Sequence, residues 1–364
     1  MKLYTFADEK GLGSFLIVME RMHNQKKRRM AVTIKDIALA LEISPSTVSR
    51  ALNDHPNISE ETKKLVSAKA KEMKYQTNFI AAGLRTKKSN SIGILVPHIT
   101  GNFFASAIDG IQKIVTDNGY FTIICQSNED YHNEIDQVRS LLSCKVEGII
   151  LSISSETKDY EHLETLQAYD TPFVFFDRVA PGFETPTVEA NDFTGGFQAV
   201  EHLIKRGRKK IAHLGGPGIL GISKSRYEGY LEALKTYDYE VSEDFVIFTN
   251  PDEGHEEIIE KLFEDPFNRP DALFTFSDEL AVESILKLKK MGLNVPRDVS
   301  VVGFGNSNLC EIVEPNLTSV THEPVEMGEA AAGLLFKVIQ NRHIPSHMMN
   351  LKFDSRVVIR DSSR

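Results

Sequence analysis

The sequence predicts a multidomain protein, with an all-α helix-turn-helix headpiece at residues 31–76 and a two-lobed α/β body with doubly wound parallel sheets at residues 90–364. Helix start signals recur at short spacing in the headpiece, which is typical of a helix-turn-helix. Short β-branched runs alternate with longer amphipathic stretches in the body, which indicates parallel sheets covered by helices. Because a body of about 275 residues is large for a single sheet of this kind, we expect two lobes.

The composition is that of an ordinary globular protein. The chain has 364 residues, of which 41% are hydrophobic and 26% are charged. The three cysteines, Cys125, Cys144 and Cys310, have no CxxC spacing, so we expect neither a disulfide framework nor a zinc site. The longest apolar stretch near the start, residues 15–19, is far too short to span a bilayer. We therefore expect a cytoplasmic protein with no membrane partner.

Charge is distributed unevenly along the chain. Residues 21–89 contain 15 Lys or Arg and 6 Asp or Glu, a net charge of +9 in a chain whose total is −9, which leaves −18 for the remainder. A basic segment on an acidic body favours a polyanionic partner, because much of the affinity for nucleic acids comes from neutralising phosphates.

The first headpiece helix is predicted to begin after Thr33. This residue is a good N-cap, Asp36 lies three positions on as in a capping box, and Val32 can pack on Ile37. Apolar residues then recur at helical spacing. They are Ile34, Ile37, Ala38 and Leu41.

Two further helices are predicted close behind. The second has Ser44 as N-cap and Pro45 at its first position, where the missing N–H costs nothing. The third follows Ser59, with acidic residues at its positive end. Its inward residues are predicted to be Leu65, Ala68 and Met73.

The second helix is the predicted DNA-reading element. With Val48, Ala51 and Leu52 facing inward, five polar side chains remain for the outside. They are Ser46, Thr47, Ser49, Arg50 and Asn53. Arginine can donate two hydrogen bonds to guanine O6 and N7, and hydroxyls can reach phosphates or base edges.

These positions carry a family signature. The stretches Thr33-Ile-Lys-Asp-Ile-Ala38, Ile43-Ser44 and Thr47-Val-Ser-Arg-Ala-Leu-Asn53 resemble the headpiece of the lactose-repressor/galactose-repressor family of bacterial transcriptional regulators. The sequence departs from the family pattern at Glu42, and at Pro45 and Ser46, which fall on base-reading positions of the family. The resemblance implies binding to double-stranded DNA. The headpiece contacts we expect are Thr33, Ser44, Pro45, Ser46, Thr47, Ser49, Arg50 and Asn53.

The segment at residues 77–89 resembles the hinge helix of that family. In that family, the paired hinge helices of a dimer enter the minor groove of the operator, and an apolar side chain inserts at a central base step. By the resemblance, this side chain would be Leu84. The contacts we expect are Asn78, Ala81, Leu84 and Arg85. Because Gly83 weakens an isolated helix, we expect order only on DNA; a plain flexible linker is the alternative.

Residues 1–30 precede the signature. We expect either a disordered extension or a misassigned start upstream of Met30, with a genuine leader as the alternative.

The carboxyl ends of the predicted body strands nominate a ligand site, because ligands of open α/β sheets bind there. We expect lobe 1 at about residues 90–190 and 322–345, and lobe 2 at about 191–321 plus the C-terminal tail. The polar strand-end residues are Pro97, His98, Gln126, Ser127, Ser152, Asp177, Arg178, Ser277, Asp278 and Gly305. Asp278 could instead be simply the N-cap of the following helix.

The body resembles the periplasmic-binding-protein-like core of the same family along nearly its whole length. The resemblance implies a small-molecule effector, a sugar or sugar derivative first and a nucleobase or other metabolite second. It implies that Phe104 stacks on the effector, that Arg226 donates to it, and that Asp177 and Asp278 line the cleft. The full set of expected effector residues is Phe103, Phe104, Ser127, Asp177, Arg178, Asn191, Arg226, Phe274, Ser277, Asp278 and Gly305.

One departure in the body concerns the effector. After Gly303-Phe304 the family normally has an aspartate that accepts hydrogen bonds from the effector, and here Gly305 and Asn306 follow. A lost acceptor indicates a different ligand pattern, because the remaining buried polar groups must still be paired. The helix predicted at residues 324–340 belongs, by the resemblance, to the lobe that supplies much of a homodimer interface.

Two other functions fit the sequence less well. An enzyme is not supported, since the sequence has no nucleophile elbow, P-loop or HExxH and no demanding acid pair; we expect no catalytic residue, cofactor or metal. A solute-binding protein of a transport system would share the body, but it would need a secretion signal and no headpiece. The sequence therefore predicts a DNA-binding repressor with a pseudo-palindromic operator and effector control.

Overall fold

The computed structural model describes residues 32–75, 89–249 and 254–364. The chain divides into two compact units, residues 1–85 and 86–364. The predicted extension at residues 1–30 and the predicted hinge contacts Asn78, Ala81, Leu84 and Arg85 lie outside the described residues. In the part that is described, no helix is long and apolar enough to cross a membrane.

The headpiece consists of three helices, as the sequence predicts. They are α1 (Ile34–Leu41), α2 (Pro45–Leu52) and α3 (Glu60–Glu72). Thr33 caps α1 and forms the predicted capping box with Asp36. The Ser44 hydroxyl accepts a hydrogen bond from the backbone N–H of Thr47 and caps α2. The headpiece helices therefore begin where local capping chemistry directs them.

The headpiece core lies where the three helices meet. Its buried residues are Ile37, Ala38, Val48, Ala51, Val66 and Ala70. The predicted inward face of α3 was wrong at two of its three positions, because Leu65 is 54% exposed and Ala68 is exposed, whereas Met73 packs against the core. Adjacent apolar residues at 65 and 66 leave the helical register ambiguous, and packing against α1 and α2 selects Val66.

The first lobe of the body is a six-stranded parallel sheet. Its strands are β1 (Ser91–Val96), β2 (Phe121–Gln126), β3 (Gly148–Leu151), β4 (Phe173–Phe176), β5 (Thr187–Ala190) and β11 (Asn350–Phe353), in the order β11-β5-β4-β3-β1-β2. Its helices are α4 (Asn102–Asp117), α5 (Tyr131–Ser143), α6 (Glu161–Ala168) and α12 (Pro324–Ile339). Strand β11 pairs with β5 and lies beyond the segment 322–345 predicted for this lobe.

The second lobe repeats the same plan. Its strands are β6 (Ile211–Gly215), β7 (Val246–Phe248), β8 (Ala272–Thr275), β9 (Ser300–Phe304), β10 (Thr318–Thr321) and β12 (Arg356–Val358), in the order β12-β10-β9-β8-β6-β7. Only β12 is antiparallel to its neighbour among the described strands. Its helices are α7 (Asp192–Lys205), α8 (Gly221–Thr236), α9 (His255–Phe263), α10 (Asp278–Lys290) and α11 (Leu309–Ile312).

The chain passes between the lobes three times: after β5, after β10 and after β11. In the order β3-β1-β2 of the first sheet and β8-β6-β7 of the second, each strand order reverses beside the first strand of its lobe. Ligands of open parallel sheets bind at such switch points, outside the carboxyl ends of the strands. The fold therefore directs attention to the loops after β1, β4, β8 and β9.

Candidate effector site and DNA-binding surface

The predicted DNA-reading surface is largely exposed on α2. Ser44, Pro45, Ser46, Arg50 and Asn53 are exposed. The Ser44 hydroxyl is 2.7 Å from that of Ser46 and 2.8 Å from that of Thr47. The hydroxyls at the start of α2 thus form one cluster beside the exposed Arg50, which suits contact with phosphates and base edges.

Ser49 does not face outward as predicted. Its side chain is only 6% exposed, and its carbonyl oxygen accepts a hydrogen bond from Asn53 Nδ2 at 2.7 Å. The buried arc of α2 includes Val48, Ser49 and Ala51, so it is wider than the apolar residues alone indicate. A small residue with a hydroxyl group, such as Ser49, can be buried in a helix although the apolar periodicity of the sequence does not indicate it.

A cavity of about 130 Å³ lies between the two lobes. Its walls come from the first turn of α4 and the end of β4 in lobe 1, and from α8, the start of α10 and the loop after β9 in lobe 2. The lining residues are Gly101, Asn102, Phe103, Phe104, Asp177, Arg178, Ile222, Arg226, Phe276, Ser277, Asp278, Glu279, Phe304, Gly305, Ser307 and His322. Both sheets therefore contribute their carboxyl-terminal ends to one site.

Arg226 is built into the wall of lobe 2. Its Nε donates to Asp192 Oδ1 at 2.7 Å, and its Nη1 donates to the carbonyl oxygen of Phe276 at 2.7 Å. The guanidinium carbon lies 3.7 Å from the ring centre of Phe304 and 4.6 Å from that of Phe276. A buried arginine held in this way is rigid, and its charge is balanced by Asp192.

Arg178 provides the matching cation of lobe 1. Its Nη1 donates to both carboxylate oxygens of Glu129 at 2.9 Å, and Glu129 also accepts from the N–H of Ser155 at 2.7 Å. Burial opposes the charge of Glu129, but Arg178 and Ser155 outweigh it, so the pKa of Glu129 is lowered. The Nε of Arg178 is buried and has no hydrogen-bond partner.

Asp278 organises the loop after β9. Its two oxygens accept hydrogen bonds from the N–H of Ser307 at 2.6 Å and the hydroxyl of Ser319 at 2.5 Å. Burial raises the pKa of Asp278. The N-cap of α10 is Ser277, which accepts from the N–H of Leu280, so the alternative reading of Asp278 as that N-cap was wrong.

Gly305 has a φ of +125°, a conformation that side-chain-bearing residues rarely adopt. A Cβ at this position would lie 3.3 Å from Asp278 Oδ2. The space next to residue 305 is thus partly occupied by the Asp278 carboxyl group, which reaches the loop from α10.

Asp177 and His322 complete the polar lining. Burial raises the pKa of Asp177 to about 7, Arg178 opposes the rise, and the residue has a φ of 65°. His322 follows β10 at a crossing between the lobes, with its ring 4.7 Å from Phe103 and 5.7 Å from Phe304. Burial, reinforced by Arg226, lowers the pKa of His322 to about 3, so the imidazole is neutral.

Most of the predicted effector residues line this cavity. Phe103, Phe104, Asp177, Arg178, Arg226, Ser277, Asp278 and Gly305 do so. Three do not: Ser127 is fully buried, Asn191 caps α7, and Phe274 packs on His213 in the lobe 2 core.

The predicted set lacks several lining residues. Ile222, Phe276, Ser307 and His322 are among them. A polar strand-end residue signals such a site in sequence, but His322 lies one residue after its strand in a crossing segment, where only the topology reveals its position.

Comparisons with known proteins agree with this architecture. Residues 33–78 match the family model for bacterial regulatory proteins of the lacI family, and residues 200–363 match that of a periplasmic binding protein-like domain. The lac repressor dimer bound to operator and an anti-inducer has the same fold, with a TM-score of 0.79 at 21% identity, covering 92% of this chain and 99% of that one.

Curated relatives match along nearly the whole chain. Catabolite control protein A of Priestia megaterium is 32% identical over 92% of this chain and 100% of its own length. The HTH-type transcriptional repressor CytR of Escherichia coli (strain K12) is 30% identical over 93% of this chain and 98% of its own. With its capped helix-turn-helix, its two-lobed body and these relatives, the chain belongs to the lacI family of bacterial transcriptional regulators.

Proposed function

We propose that this regulator represses transcription from a pseudo-palindromic operator as a homodimer, and that a sugar or sugar derivative in the cavity between the lobes controls its operator affinity. The headpiece would bind one half-site per protomer through α2. The protein would act in the cytoplasm, at the nucleoid when bound to DNA.

The cavity itself is the observation that carries this proposal. Its walls come from both lobes, so a molecule bound there contacts residues of each and favours one lobe arrangement over another. A ligand can shift operator affinity only by its differential affinity for two such arrangements. Because the chain crosses between the lobes beside the cavity at His322, this site is well placed to exert that control.

Related structures support a sugar as the first candidate. A lacI-type regulator from Alkaliphilus metalliredigens has been solved with D-xylulofuranose, at 25% identity and a TM-score of 0.65, covering 76% of this chain and 99% of that one. The cavity of the present protein combines carboxyl, guanidinium and aromatic groups, which suit the hydroxyls and the apolar faces of a sugar ring.

A nucleobase or nucleoside is the second candidate. The rings of Phe103, Phe104, Phe276, Phe304 and His322 all line the cavity, and a planar ligand could stack on them. Direct binding of free sugars and of nucleosides to the full chain separates the two candidates.

The DNA-binding part is tested with Arg50. Operators are first selected from random double-stranded DNA with the full chain, and Arg50→Ala is then measured on the selected site. We expect a loss of about 1–3 kcal/mol on that site and a relaxed base preference. Lys64→Ala, which removes an exposed charge of α3, is the matched control. An equal loss of Arg50→Ala on random DNA would show that Arg50 contacts only phosphates.

A further inference from the structure

The charges around the cavity restrict the chemistry of its ligand. Among the described residues that line the cavity, only Arg178 and Arg226 are cationic, and each is already bonded to a carboxylate behind it. The Arg178–Glu129 pair is 11% and 12% exposed, and the Arg226–Asp192 pair is 7% and 5% exposed. The charge of each guanidinium group is therefore already balanced by a carboxylate.

The remaining charged groups of the lining are acidic. Asp177, Asp278 and Glu279 line the cavity, and no lysine does so among the described residues. Burial raises the pKa of Asp177, Asp192 and Asp278, which shows that this region disfavours additional negative charge. An anionic ligand would be desolvated in the same place and would lie close to the carboxyl groups of Asp177, Asp278 and Glu279.

Three lining residues nevertheless carry a buried polar atom that has no hydrogen-bond partner among the described residues. Arg178 Nε, Ser307 Oγ and His322 Nδ1 are buried, belong to lining residues, and have no hydrogen-bond partner in the described structure. The guanidinium nitrogen can only donate, whereas a neutral imidazole provides one donor and one acceptor. A hydroxyl group can satisfy either kind of partner, because it both donates and accepts, whereas a phosphate dianion or a carboxylate only accepts.

We propose that the effector is uncharged and rich in hydroxyl groups, and that phosphorylated and carboxylated counterparts are rejected because Glu129 and Asp192 already neutralise the two arginines of the cavity. This inference rests on the proposed function, since it takes the cavity as the effector site. It narrows the ligand to free sugars, polyols or nucleosides, and it assigns Glu129 as a positioning residue that acts through Arg178.

The first test compares matched ligands on the full chain by calorimetric titration. The sets are glucose with glucose 6-phosphate and glucuronate, ribose with ribose 5-phosphate, and cytidine with cytidine monophosphate. In any set that binds, the neutral member should bind at least about tenfold more tightly than its anionic counterparts. Tighter binding of an anionic member would overturn the proposal while leaving the effector site intact.

The second test does not depend on the identity of the effector and uses inorganic phosphate at constant ionic strength. Phosphate stabilises folded proteins in general, so the melting temperature of the unmodified chain should rise in phosphate no more than that of Arg178→Gln. Glu129→Gln keeps the shape of the side chain but leaves Arg178 with only the more distant carboxyl group of Asp177, 3.9 Å from its Nε. Phosphate should therefore stabilise this variant more than it stabilises the unmodified chain. The double variant Glu129→Gln/Arg178→Gln should lose that additional response.

The control for a general charge effect is Glu329→Gln, which removes the partner of the exposed Lys113 away from the cavity. Its response to phosphate should equal that of the unmodified chain. Stabilisation of the unmodified chain by phosphate, abolished by Arg178→Gln, or no gain in Glu129→Gln would each overturn the charge-balance argument. Conversely, an additional phosphate response limited to Glu129→Gln, with no neutral ligand bound, would uphold the charge argument and contradict the proposed effector function.

Discussion

The two lobes each present one arginine to the cavity, but they fix it differently. Arg226 of lobe 2 is enclosed by Asp192, a backbone carbonyl and two phenyl rings. Arg178 of lobe 1 is held at one end by Glu129, and its Nε has no hydrogen-bond partner in the described part of the chain and lies 3.9 Å from Asp177 Oδ2. Lobe 2 thus carries its cation as part of its own packing, whereas lobe 1, as far as the structure describes it, leaves one buried donor of its cation without a hydrogen-bond partner.

This difference indicates separate roles for the two walls. Removing a group that is integrated into the packing should affect folding and binding together, whereas removing the Arg178 donor should affect binding more than folding. The following changes test that distinction, from the largest expected effect to the smallest.

Arg226→Ala should destabilise the body most, by about 3–5 kcal/mol, because it leaves Asp192 buried and without its cation. Urea unfolding followed by circular dichroism measures the loss. Arg226→Ala/Asp192→Ala should recover part of it, since the uncompensated charge is then removed. A single variant as stable as the original chain would show that Arg226 is not part of the lobe 2 framework.

Arg178→Ala should cost less, about 1–3 kcal/mol, because Glu129 keeps the N–H of Ser155 as a partner. The same unfolding experiment gives the value, and Arg139→Ala, whose side chain is 72% exposed, is the control. A loss as large as that of Arg226→Ala would remove the distinction between the lobes.

Gly305→Ala should cost about 1–2 kcal/mol, because alanine strains the backbone at a φ of +125° and its Cβ approaches Asp278. Gly333→Ala is the matched control, since a Cβ there meets no atom within 4 Å. Equal stability of Gly305→Ala and the original chain would contradict the strained backbone.

A separate test, outside that order, concerns pH. Asp177 has a pKa of about 7 in the folded chain against an ordinary value of 3.8, so between about pH 4 and pH 7 the folded state retains a proton that the unfolded state has lost. The contribution of Asp177 to stability therefore falls as the pH rises through this window. Asp177→Asn should remove that fall. From pH 4 to pH 7 the free energy of unfolding of the variant should therefore decline less, or rise more, than that of the original chain. Identical pH profiles for the two proteins would contradict the raised pKa.

The starts of the headpiece helices were predictable from sequence because capping is local. The face that α3 buries was not, because it depends on residues that are distant in sequence. Capping depends on residues within one turn, so the start of each headpiece helix followed from Thr33, Ser44 and Ser59. The inward face of α3 depends on its partners, and the adjacent apolar residues Leu65 and Val66 could not decide it.

The cavity was predictable only in part for the same reason. Strand ends and the family resemblance predicted eight of its sixteen described lining residues, including Arg178 and Asp278. Glu129 was not predicted as a residue of the site, because its hydrogen bond with Arg178 joins positions that are 49 residues apart. His322 was missed because it lies in a crossing segment, and Phe274 was included although its strand turns that side chain into the core.

The most direct test of the central claim is operator binding by the full chain with and without a ligand of the cavity, measured by fluorescence anisotropy on the selected operator. We predict that a neutral hydroxyl-bearing ligand changes operator affinity at least about tenfold, and that Arg178→Gln weakens this response without weakening ligand-free operator binding. A ligand that occupies the cavity, as shown by its loss in Arg178→Gln, but leaves operator affinity unchanged would contradict effector control.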